Sequence, residues 1–137
     1  MLVRTVTAVC GLVALAATGP TAQTHEPLYT CVDDAATLML NIGITVCDAA
    51  PTVALDRRLD EDHLQRRPGA LVTEIADGGV AQAAGLQPDD MIYRVGGINV
   101  DSRVTTNTRL NLVGENADTV VNFLRDGRPY LVRVRKP

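Results

Sequence analysis

Few side chains in this sequence could do covalent chemistry, and each has a plainer use. Ser102 is the sole serine of 137 residues, and it stands in Val100-Asp101-Ser102-Arg103 rather than between the glycines of a nucleophile elbow. A helix cap accounts for it. His63 could act as a base, but it lies in the charged run Asp60-Glu61-Asp62-His63 with no nucleophile nearby in sequence. Asp89-Asp90 could pair as acid and base, yet a place at the entry to a strand predicts a turn or a core contact. No phosphate loop, dinucleotide fingerprint or metal signature is present. Cys31, Cys47 and two scattered histidines lack the paired short spacings that close a zinc tetrahedron. The expectation is a chain without catalysis, metal or cofactor.

Chemistry by backbone is better provided for. Asn41-Ile42-Gly43-Ile44 places a glycine among aliphatics, where exposed N–H groups can approach an anion closely. Leu38-Met39-Leu40 reads as a strand entering this turn, and residues 44–47 read as the strand leaving it, with Ile42, Ile44 and Val46 on one face. Downstream, residues 69–75 alternate as a half-buried strand, and residues 80–84 make a short helix closed by Gly85. Residues 91–95 form the next strand, ending at Gly96-Gly97. Asp101-Ser102 begins a second, longer helix over residues 103–113, on which Thr106, Leu110 and Val113 form one stripe. A last hairpin pairs residues 118–124 with 130–134 around Asp126-Gly127.

The succession GALV, AAGL, DDMI and VGGINV, with NIGI upstream and the Arg125-Asp126-Gly127 turn downstream, resembles a PDZ domain. The resemblance is to the bacterial kind that follows the protease domain in HtrA-type periplasmic serine proteases. It covers residues 38–136, and the expectation is a stand-alone domain without the protease part. Asp89 stands where that family usually has glycine, which alters a turn without threatening the fold. The fold class expected is mainly β with two helices, a small PDZ-like sandwich or partly open barrel of five or six strands.

The resemblance implies that an extended peptide adds to the edge of the strand after NIGI, beside the second helix. Asn41, Ile42, Gly43 and Ile44 would hold a terminal carboxylate. Ile42, Ile44, Val46, Leu110 and Val113 would line an aliphatic side-chain pocket, and Thr106 would stand where hydroxyl-selective relatives carry histidine. The expected partners are protein C-termini or extended segments with aliphatic side chains. No cation lies near Asn41 in sequence, which points to weak binding or to internal segments.

Composition sets the remaining bounds. Aromatics are 3% of the chain and Phe123 is its only Phe, so the core must be Val, Leu, Ile and Ala. Residues 1–22, with one early cation at Arg4 and an apolar run of about twelve residues, read as a secretory leader. That run falls short of the roughly 20 residues that span a bilayer, so export is favoured over an uncleaved anchor. The net charge of −3 makes nucleic acid an unlikely partner class. In an oxidising compartment Cys31 and Cys47 are either a disulfide or two buried thiols. Residues 23–37 read as a polar extension tied down by Tyr29 or Cys31. Residues 48–68 read as a charged excursion, with a Thr52-capped helix carrying Val53, Leu55 and Leu59. A constitutive docking domain of an envelope assembly is the alternative function.

Overall fold

The computed structural model describes residues 26–136, so the predicted leader over residues 1–22 lies outside the described residues. In chain order the elements are β1 (Tyr29–Cys31), β2 (Thr37–Leu40), β3 (Ile44–Pro51), α1 (Val53–Arg58), β4 (Ala70–Ile75), α2 (Val80–Ala84), β5 (Met91–Val95), β6 (Ile98–Asn99), α3 (Arg103–Asn111), β7 (Asp118–Arg125) and β8 (Arg128–Arg135). The sheet is antiparallel and open, with β3, β4, β5, β7 and β8 as successive neighbours. β1 and β2 both pair with β3, and β6 folds back on β5. The mainly β class stands as expected. The described residues hold eight strands and three helices, because β1 and β6 add short strands and α1 is a true helix.

The sheet buries side chains on both faces, as strand alternation requires. Ile44, Val46, Ala70, Val72, Ile92, Val121 and Phe123 point into the main core under α2 and α3. Cys47, Leu71, Met91, Tyr93 and Leu124 point the other way, into a second cluster closed by Tyr29, Leu55 and Leu64. Residues 48–68 therefore cover a face of the sheet and are not merely solvated. The Thr52-capped helix forms as expected, with Leu55 fully buried, Leu59 packed at the rim and Val53 exposed. Gly69 is needed because a Cβ at that position would lie 2.0 Å from the Ile92 carbonyl oxygen.

The caps fall where the residue types demand them. Ser102 Oγ accepts from the Thr105 N–H at 3.1 Å at the start of α3. Gly85 ends α2 at φ +100°, a left-handed position. Asp89 holds φ +73° in the following turn, a left-handed conformation that glycine adopts most freely and aspartate tolerates. Its neighbour Asp90 is buried and accepts two hydrogen bonds from the Arg125 guanidinium, both at 2.8 Å. Arg125 also donates to the Gly85 carbonyl at 2.9 Å, so one side chain ties β7 to the end of α2. The Asp90 hydrogen bond raises the Arg125 pKa above its ordinary value.

Candidate functional site

The two edges of β3 are both in use. The Ala49 N–H donates to the Gly69 carbonyl beside β4 at 3.0 Å, while the Asp48 carbonyl accepts from the Val32 N–H on the opposite side at 2.9 Å. Along that opposite side β1 pairs Cys31 with Ala49, and β2 pairs Thr37 with Cys47, Leu38 with Val46, Met39 with Thr45 and Leu40 with Ile44. Residues 29–40 thus run the length of β3, broken only by the loop at 33–36, where Asp33 Oδ1 accepts from the Ala35 N–H at 2.9 Å. Cys31 and Cys47 are bonded to each other, which fastens the segment to β3.

The open furrow expected beside β3 is therefore filled by the chain itself. β2 lies along the edge of β3 and α3 packs against both strands. Leu40 is buried and Leu38 packs against the main core, whereas Met39 between them is 78% exposed. A hairpin forms because Gly43 takes φ +83°, a left-handed position that glycine adopts without strain. The Gly43 N–H, expected to hold a carboxylate, donates to the Leu40 carbonyl at 3.1 Å. The carbonyls of Ile42 and Gly43 accept from the N–H groups of Ala81 and Ala76 at 3.0 and 2.9 Å, which anchors the turn beside α2.

The predicted lining residues do meet. Ile42, Ile44, Val46 and Leu110 are buried in the main cluster, which also contains Leu40. Thr106 is buried and its hydroxyl donates to the Ser102 carbonyl at 2.8 Å, so the side chain is spent on its own helix. Val113 is half-buried just beyond α3. Asn41 is exposed, and its Nδ2 donates to Asn111 Oδ1 at 3.2 Å. That contact closes one end of the groove between β3 and α3.

The other end is closed by Arg103, whose backbone N–H donates to Asp48 Oδ1 at 2.8 Å and whose guanidinium pairs with Asp48 Oδ2. Lys136 Nζ donates to the carbonyls of Leu110 and Val113 at 3.2 and 2.9 Å, bringing a cation to the last turn of α3. Neither Asp48, Arg103 nor Lys136 was marked by any local pattern, because each acts through a partner more than twenty residues away. Among the described residues no group of three or more His, Cys, Asp or Glu side chains is placed to hold a metal.

A family model described as the PDZ domain matches residues 52–122, just over half of the 137-residue chain. The chain belongs to the PDZ domain family. No curated protein sequence matches it. Among solved structures this PDZ domain is similar to the HtrA3 PDZ domain bound to a phage-derived ligand, FGRWV, with 20% identity and a TM-score of 0.52 over 73% of this chain and 84% of that one. It is also similar to the HtrA-type protease AlgW with a decapeptide, with 18% identity and a TM-score of 0.54. That match covers 69% of this chain but only 27% of the AlgW chain, and both likenesses are statements about the fold.

Proposed function

We propose that this PDZ domain is a noncatalytic protein-binding module, exported to the cell envelope or beyond, that takes extended segments by strand addition along β3. The observation that carries the reading is the PDZ family match together with the clustering of Ile42, Ile44, Val46 and Leu110 beside β3 and α3, where the strand β2 now lies. The groove is thus built to the dimensions of a strand. Its walls are aliphatic, so burying one Val or Leu side chain from a partner is worth roughly 1.5–3 kcal/mol and a charge there is penalised. The FGRWV ligand of the HtrA3 domain, which ends in an aliphatic residue, supports the same ligand class.

Export rests on the leader-like residues 1–22 and accords with a disulfide between Cys31 and Cys47. A separate protease or an envelope complex would supply or receive the bound segment. Titration calorimetry of the purified mature chain with peptides ending in Val, Leu, Ile or Ala should give weak, saturable binding. Absence of saturation with every such peptide contradicts the reading.

The occupied edge of β3 favours one alternative, a constitutive docking domain that holds a single envelope partner through another surface. Residues 48–68 carry exposed ion pairs such as Arg66 with Asp56 at 3.0 Å and would be that surface. Reversing the exposed charges Asp56, Arg57 and Arg66 while leaving β3 and the buried Leu55 and Leu64 in place separates the two readings, since only docking predicts loss of the partner.

A further inference from the structure

Resting on the strand-addition reading, we infer that β2 is a built-in occupant of the peptide groove, and that a partner segment binds by displacing it. Three features of β2 match what a ligand in trans would need. Its direction is right, because β2 runs into the Asn41-Ile42-Gly43 turn and ends with the Leu40 carbonyl on the Gly43 N–H. A ligand ending there would present its terminal carboxylate to the same donor. Its spacing is right, because Leu38 and Leu40 face the core while Met39 faces solvent, the two-residue period of a bound strand. Its surroundings are right, since β3 is on one side and α3 on the other.

β2 is also the part of the arm best able to leave. β1 is held by the Cys31–Cys47 bond and by Leu28 and Tyr29 in the second cluster. β2 has four residues, one of them buried, and the loop at 33–36 lies between it and the covalent tie. Displacement therefore leaves the disulfide intact and keeps β2 close by as a competitor. The competitor also states the ligand chemistry: branched aliphatic side chains at two alternate positions, the last at the place of Leu40.

The probe is a dye-labelled peptide ending in Thr-Leu-Met-Leu with a free carboxylate, titrated by fluorescence anisotropy into the oxidised mature chain and its variants. Leu38→Asp expels β2 without touching a groove wall, and it should bind the probe at least tenfold more tightly than the parent. Leu38→Ser should fall between them, and it decides the matter alone if the aspartate variant lacks a cooperative melt. Equal affinity in parent and variants overturns displacement and leaves strand addition standing. No binding by any of the three overturns both.

Discussion

The sheet has two ends, and they are finished by opposite means. At the β3 end a strand of the same chain is laid on the edge, gripped by Leu38 and Leu40 and fastened upstream by a disulfide. At the other end β8 pairs with β7 alone, and its outer side carries no strand among the described residues. Arg128, Pro129, Arg133 and Arg135 protect that bare edge, in the way that charges and proline usually discourage strand pairing. Leu131 is 65% exposed there without a second apolar strand to meet it. An edge meant to stay single is guarded by charge, whereas an edge shaped for a partner is kept apolar and must be covered by something. In this PDZ domain the cover comes from the chain itself.

The contrast can be broken most severely from the β7–β8 side. Arg125→Ala leaves the Asp90 carboxylate buried without its counter-charge, held only by the Gln87 N–H, a loss of about 3–5 kcal/mol in chemical denaturation. Asp90→Asn should cost less, because the Arg125 side chain is 30% exposed and can turn to water. The reverse order would show that the pair is not what joins β7 to α2. Next in size, removing the covalent tie by Cys31→Ser with Cys47→Ser should lower stability by about 3 kcal/mol for a loop of this length. Proteolysis of that variant should begin in residues 26–40 and spare β8; first cleavage in β8 would reverse the comparison of the two ends.

A smaller effect attaches to Tyr29, whose hydroxyl donates to the Gln65 carbonyl and accepts from the Arg67 N–H, each at 3.1 Å. Burial pushes its phenol above the ordinary value of 10.0. The unfolded chain therefore ionises first, so this contribution is whole below pH 10 and is lost as pH rises through the folded value. Tyr29→Phe should cost about 1–2 kcal/mol at neutral pH and flatten that alkaline decline in pH-dependent melting. An unchanged alkaline slope would assign it to another group. Smallest of all, Leu131→Thr on the bare edge should shift stability by no more than about 0.5 kcal/mol. A loss several times larger would mean that β8 is covered in solution.

Much of the frame is legible in the residues themselves. Gly85 marks the end of α2, Ser102 the start of α3 and Asp126-Gly127 the last hairpin, each through local backbone chemistry. The packing beside β3 is legible too, since Ile42, Ile44, Val46 and Leu110 fall on the expected faces and are buried together. Its occupancy is not. Alternation in Leu38-Met39-Leu40 predicts a strand without naming its neighbour, and a glycine turn allows either a hairpin or a chain that departs. Arg125 with Asp90, and Arg103 with Asp48, join residues 35 and 55 apart, where no local pattern reaches. The burial of Ile44 has a practical consequence: Ile44→Asp would test folding more than recognition.

Amide hydrogen exchange, followed by NMR on the oxidised chain with and without saturating Thr-Leu-Met-Leu peptide, addresses the occupied groove most directly. Self-occupancy with displacement predicts that the peptide leaves the β3 amides protected while those of Leu38 and Leu40 become fast. Protection of Leu38 and Leu40 that persists when the peptide is bound would contradict it.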